Sequence, residues 1–181
     1  LSKTSGSFVP SMACTQAGTY TNTWTATDNC GNTSTVFTQV ITIIDTVPPT
    51  WTTPLGDLDR TVECNNTLGL INAQALFPVA SGNCDLTVSA LNKVSGAFVV
   101  GMLCPQAGTY TNTWTVTDDC GNVSTTYTQV ITVVDTQAPT WETVPGTLDR
   151  TLECNDAAGI AAAQMLEPVA NDNCDTQIQL P

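Results

Sequence analysis

Histidine is absent from this sequence and basic residues are scarce: Lys3, Arg60, Lys93 and Arg150 stand against sixteen carboxylates, for a formal charge of −12. Without an imidazole, neither a Ser-His-Asp nor a Cys-His arrangement can be assembled. With so little positive charge to neutralise phosphates, nucleic acid is excluded as a partner. No stretch approaches the roughly 18 apolar residues of a membrane-spanning helix. There is no CxxC pair either, so the eight cysteines lack the spacing of a zinc site and have no histidine to complete one.

What the sequence does contain is a repeat. The stretch from Thr109 to Trp141, TYTNTWTVTDDCGNVSTTYTQVITVVDTQAPTW, recurs from Thr19 to Trp51 as TYTNTWTATDNCGNTSTVFTQVITIIDTVPPTW, displaced by 90 residues. The same shift aligns Leu1 with Leu91, Cys14 with Cys104, Asp45 with Asp135 and Cys64 with Cys154 without a gap. About three positions in five are identical, and the 181 residues amount to two periods.

Within the repeated stretch, Tyr110, Trp114 and Val116 alternate with Thr109, Thr111, Thr113, Thr115 and Thr117, the period of two of a half-buried strand. Asp118-Asp119-Cys120-Gly121-Asn122 gathers turn formers, and Tyr127, Ile131 and Val133 resume the alternation. The stretch therefore reads as a hairpin whose apolar face needs covering. Short strands are also expected around Phe8-Val9, towards Val62, from Val88 and Ala90, and over 176–180. The alanine content of Ala158 to Leu166, and less plainly of Gly69 to Leu76, marks one short helix per repeat, stopped by Pro168 and Pro78. Short strands with turns about every ten residues indicate an all-β sandwich.

Thr46-Val47-Pro48-Pro49-Thr50-Trp51 and its counterpart at Gln137 to Trp141 read as stiff, extended linkers. They place boundaries near residues 47 and 137. Residues 1–46 then hold the later part of one repeat, 47–136 a complete repeat, and 137–181 the earlier part of the next. An exposed half-sandwich leaves unpaired edges and an apolar face in water. The 181 residues are accordingly expected to be a window on a longer array, in which residues 137–181 of one window and 1–46 of the next complete a domain, by covalent continuity or by strand complementation between chains.

The matched cysteine sets, Cys14, Cys30, Cys64 and Cys84 followed by Cys104, Cys120, Cys154 and Cys174, imply disulfides and an oxidising, extracellular setting. In a sandwich, Cys84 and Cys120 lie at the pole where the chain enters, and Cys64 and Cys104 at the other. Joining Cys104 to Cys120 would span a strand about 25 Å long, beyond the reach of about 7 Å between Cα atoms. The pairs expected are Cys64–Cys104 and Cys84–Cys120, each contributing about 3–4 kcal/mol, with Cys64–Cys84 as the alternative if the short helix brings those two together.

Asp57 with Asp59, and Asp118 with Asp119, are paired carboxylates, but aspartates in turns cap backbone N–H groups and no concave site is implied, so no enzymatic role is expected. Asp45 and Asp135 at repeat ends, with Asp85, Asp118 and Asp119 in loops, offer hard oxygen ligands for calcium at a junction. Solvated acids capping turns are the competing and preferred reading. Trp24 and Trp114 belong to the core; Trp51 and Trp141, after the linkers, are candidates for packing between repeats or for stacking on a sugar. Asn32, Asn65 and Asn122 open Asn-x-Ser/Thr sequons.

The series DNCGN or DDCGN, TQVIT(I/V)(I/V)DT and (P/A)PTW resembles the hyalin-repeat type of immunoglobulin-like module. The whole period is similar to the tandem repeats of very large surface adhesins secreted by gliding Bacteroidetes, and the likeness covers the chain end to end. Unlike the animal hyalin pattern, this sequence lacks a cysteine in the last strand and carries one in each of two loops, so the resemblance supplies no cysteine pairing. It implies tandem immunoglobulin-like sandwiches in an extended rod, export to the bacterial cell surface, and a part in adhesion or gliding motility. The partners implied are neighbouring repeats and surface glycans. It also makes Thr46, in Asp45-Thr46-Val47, a candidate for O-glycosylation. The alternative is a sugar- or protein-binding module that uses the loops at one pole.

Overall fold

The computed structural model describes residues 1–84, 90–102, 104–175 and 178. The alternating segments form strands: β1 Ser2–Ser5, β2 Val9–Pro10, β3 Gly18–Thr25, β4 Phe37–Ile43, β5 Thr50–Trp51, β6 Arg60–Glu63, β7 Ala80–Ser81, β8 Ala90–Ser95, β9 Val99–Val100, β10 Gly108–Thr117, β11 Tyr127–Val134, β12 Thr140–Trp141 and β13 Ala170–Asn171. Two helices, α1 Thr67–Gln74 and α2 Ala157–Gln164, are the helices of the described residues. The fold is therefore β-rich, and no described helix is long and apolar enough to cross a membrane. The strand expected over 176–180 falls mostly outside the described residues, as does Val88.

One four-stranded sheet has the order β1-β3-β2 with β4 on β3, and β3 pairs β4 antiparallel from Gly18 opposite Ile43 to Trp24 opposite Phe37. A five-stranded sheet has the order β6-β11-β10-β8 with β9 on β10. In it β6 lies parallel to β11, with Ile131 opposite Arg60 and Val133 opposite Val62. Two small antiparallel pairs repeat the same register 90 residues apart: Thr50 opposite Ser81 in β5–β7, and Thr140 opposite Asn171 in β12–β13.

The helices begin where a side chain can cap them. Asn66 accepts a hydrogen bond from Gly69 N at 2.8 Å, and Asp156 accepts one from Gly159 N at 2.9 Å. That cap starts α1 at Thr67, two residues before the glycine from which alanine content alone predicts it.

Contacts divide the chain into two compact units, which cut across the repeat boundaries at 47 and 137. The first comprises Leu1–Leu58, Leu76–Gly96 and Thr111–Gln129, and the second Asp59–Ala75, Ala97–Tyr110 and Val130–Pro181. In the first, Leu58, Trp114 and Tyr127 form a buried cluster against which Trp51 and Leu76 pack. In the second, Val62, Ala73, Ile131 and Val133 do so, with Leu70, Phe98 and Tyr110 against them. Of the residues that the alternation assigns to the core, Trp114, Val116, Tyr127, Ile131 and Val133 are buried, whereas Tyr110 and Trp24 are half-buried.

Two polar residues on that face are buried as completely. Asn112 donates from Nδ2 to Gln129 Oε1 at 2.9 Å, and Gln129 Nε2 donates to the Leu58 carbonyl at 2.6 Å. The amide pair ties the hairpin to the segment that covers it and gives partners to Asn112 Nδ2, to both polar atoms of Gln129 and to the Leu58 carbonyl, which would be costly to bury alone. Tyr127 similarly donates its hydroxyl to the Pro54 carbonyl at 2.7 Å.

Trp51 corrects the expectation that it packs between repeats. Its ring lies 5.4 Å from that of Tyr127, and its Nε1 donates to Thr125 O at 2.8 Å, so it closes the core of its own repeat.

Gln129→Leu makes the core more apolar yet orphans the Asn112 amide and the Leu58 carbonyl. It is expected to cost about 1–3 kcal/mol in urea unfolding. A variant as stable as the parent would show that the amide network contributes nothing.

Candidate functional site: the junctions between repeats

The Asp118-to-Asn122 turn is built by one carboxylate. Asp118, 7% exposed, accepts at Oδ1 from Cys120 N (3.0 Å) and Asn122 N (2.8 Å), and at Oδ2 from Asn122 Nδ2 (2.9 Å). Gly121 closes the turn at φ 91°, a conformation that favours glycine. Asp28, Asn32 and Gly31 repeat the arrangement in the first copy. Burial pushes the Asp118 carboxyl up, but hydrogen bonds from the Asn122 side chain and from the Asn122, Cys120 and Gly121 backbone outweigh it and hold the group below its usual range. At Asp28 the Asn32 side chain is the largest cause of the same lowering.

This turn fastens one repeat to the one before it. Asn122 Nδ2 also donates to the Asp45 carbonyl at 3.2 Å, just before the proline linker. Cys120 is disulfide-bonded to the buried Cys14, with Cα atoms 4.6 Å apart. The Cys14 loop is itself closed by Ala17 N donating to Cys14 O and Ser11 N donating to Ala17 O.

A second disulfide joins Cys64 to Cys174, Cα atoms 5.8 Å apart, across the next boundary. The Cys64 amide continues the β6–β11 ladder by donating to Val134 O, and Glu63 accepts from Thr136 N (2.8 Å) and Thr136 Oγ1 (3.1 Å). On the other side, Asp172 accepts from the amides of Cys174 and Asp175, both at 2.9 Å; these bonds lower its pKa, against a weaker opposing effect of burial.

Both observed disulfides correct the expected pairs, Cys64–Cys104 and Cys84–Cys120. That expectation treats a repeat as isolated. In the folded chain the sulfur bonded to Cys120 is that of Cys14, and the one bonded to Cys64 is that of Cys174, each about one period away in the sequence. Cys104 instead donates its thiol to Gln106 Oε1 at 3.6 Å.

Among the described residues, Asp45, Asp118, Asp119 and Asp135 do not form a group of three or more potential ligands by themselves. Asp118 is turned into its own loop, Asp119 is exposed, and Asp45 Oδ1 accepts from Val47 N at 3.1 Å. Asp85 lies outside the described residues. Among the described residues, the grouping of three or more potential ligands is Glu63, Cys64, Asp135 and Cys174, with donor atoms within 4.8 Å of one another. Its two sulfurs are tied in the disulfide, Glu63 is engaged by Thr136, and Asp135 accepts from Gln137 N at 3.3 Å. The set serves the junction.

Asp59 Oδ1 accepts from Val130 N at 2.7 Å, and Asp57 N donates into the turn at Pro54 O. The Asp59 carboxylate thus holds backbone. Thr46, Asn32 and Asn65 are exposed, whereas the Asn122 amide is engaged as described.

Comparisons with protein-family models, curated proteins and solved structures found no match to this chain.

Two outcomes follow. Breaking Cys14–Cys120 by replacing both cysteines with serine releases a constraint spanning 106 residues and is expected to cost about 4.7 kcal/mol by loop closure, read from denaturant midpoints against the oxidised parent. Because the folded Asp118 carboxyl lies below its ordinary 3.8, the stability it confers is complete above that pH and is lost as pH falls through the lowered value. Asp118→Asn should flatten this acid limb of a pH–stability curve; an unchanged limb would assign it to other carboxylates.

Proposed function

We propose that this chain is a structural and adhesive segment of a long extracellular bacterial surface filament, made of immunoglobulin-like sandwiches in an extended rod and similar to the repeats of gliding-motility adhesins. The observation that carries this reading is that each disulfide joins one repeat to the next. Such bonds add little to a repeat taken singly, but they let a series of small domains transmit tension without separating. They persist in an oxidising compartment, which agrees with an extracellular location. The stiff proline linkers and the inward-turned acids support a spacer rather than a catalyst. Neighbouring repeats are its principal partners, with cell-surface or substratum glycans engaged by the array.

A carbohydrate-binding role has one observation of its own. Trp141 is 60% exposed beside Val144, Pro145 and Leu148, an apolar surface on which a sugar ring could stack.

Pulling on the two ends of the chain tests the spacer. The disulfides span 106 and 110 residues and overlap, so the shortest covalent route leaves fewer than half of the residues free to extend. The oxidised chain should reach less than half the contour length of the reduced chain in single-molecule extension. Equal lengths would remove the tension-bearing reading, and quenching of tryptophan fluorescence by soluble glycans, abolished by Trp141→Ala, would favour the binding one.

A further inference from the structure

The repeat allows one part of the molecule to serve as a template for another. At a shift of 90 residues β4 matches β11, yet the two faces differ in exposure. Tyr127 and Ile131 are 0% exposed, whereas the matching Phe37 and Ile41 are 68% and 39% exposed. The cover over β11 is known: β6 pairs beside it in parallel, and Trp51, Leu58, Leu70, Ala73 and Leu76 pack on the buried residues.

The counterparts of that cover, Trp141, Leu148, Ile160, Ala163 and Leu166, lie on elements already folded as in the template. α2 has the same cap as α1, and β12–β13 the same register as β5–β7. Trp141, Leu152, Ile160 and Leu166 are exposed. The chain thus carries an uncovered sheet face and a formed but unused cover for that face, and an example of the two joined.

We propose that a second copy of this chain docks through these two surfaces, head to tail. Residues 150–153 of one copy lie parallel to residues 41–44 of the next. The register follows from the template: Arg150 opposite Ile41, Thr151 opposite Thr42, Leu152 opposite Ile43 and Glu153 opposite Ile44. Trp141 then covers Phe37 as Trp51 covers Tyr127, which makes the exposed tryptophan an interface residue.

The first disulfide translates by the same rule: Cys14–Cys120 becomes Cys104 of the first copy with Cys30 of the second. Cys30, Cys104 and Cys154 are outside the disulfides of the chain. Each new bond removes two thiol hydrogens; the two electrons and two protons pass to an external small-molecule disulfide such as oxidised glutathione, which leaves as two thiols. The docking does not rest on an adhesive or tension-bearing role.

The test uses the full chain in a glutathione redox buffer over a range of concentrations, with mass measured by light scattering and linkages by non-reducing peptide mapping. Multiples of 19.0 kDa are expected, with Cys104–Cys30 peptides. Ile41→Asp removes the acceptor face and Leu152→Asp the donor, so each variant should dissociate at concentrations at least about tenfold higher, while their mixture forms a 1:1 dimer and no larger species. Val9→Asp is the control, because its counterpart Val99 stays exposed in the template. Circular dichroism on each variant confirms that it remains folded. A parent monomeric at every concentration, association that survives Ile41→Asp, a mixture that stays monomeric, or cross-links dominated by other pairs would each overturn the proposal.

Discussion

The constraint on which the structure depends is that the apolar face of a two-strand ribbon cannot stand in water and must be covered by chain from elsewhere. In the middle repeat the cover comes from the segment between Trp51 and Leu76, and it is held by specific polar bonds as well as by burial. Gln129 reaches the Leu58 carbonyl, Tyr127 the Pro54 carbonyl and Trp51 the Thr125 carbonyl. Each bond joins the hairpin to its cover across about seventy residues of sequence, so the pairing is specific rather than merely greasy. Where the cover is missing, as over β4, the same residue pattern leaves Phe37, Val40 and Ile41 exposed.

The junctions follow a different physics. Across the repeat boundaries the chain is held by two disulfides and one side-chain amide. Asn122 is economical in this respect: its Nδ2 serves both the Asp118 carboxylate within the turn and the Asp45 carbonyl of the preceding repeat. The carboxylate that shapes the turn therefore also orients the group that grips the neighbour and the cysteine that is bonded to it. Acidity at such a site is structural, because the charge is spent on backbone N–H groups and little of it remains for a ligand.

Much of this was legible beforehand. The strand alternation located Trp114, Val116, Tyr127, Ile131 and Val133 in the core, and the Asp-Asp-Cys-Gly-Asn series marked the turn, because both are local properties with a fixed period or a fixed steric demand. Asn112 and Gln129 escaped notice because polarity alone argues for exposure; only the even spacing of Asn112 with Trp114 and of Gln129 with Tyr127 and Ile131 hinted that they share the buried face. The capping role of Asn66 was equally local, and the asparagine three residues before Gly69 was a usable signal.

The sequence by itself determined the period, the strands, the short helices and the even cysteine count, since these depend on neighbours within a few residues or on simple self-similarity. It also determined that these residues hold no histidine and carry a strongly acidic charge. Only the tertiary structure decided which sulfurs meet. Spacing limits the pairs that are impossible, but it does not say whether the partner of Cys120 lies in its own repeat or in the one before, because that depends on how the chain packs across the boundary. The same holds for Trp51, whose place beside a linker suggested a contact between repeats, while the hydrogen bond to Thr125 and the edge of Tyr127 drew it into its own core. Local rules act on the chain; the pairing of distant groups is decided by the packing that brings them within a bond length of each other.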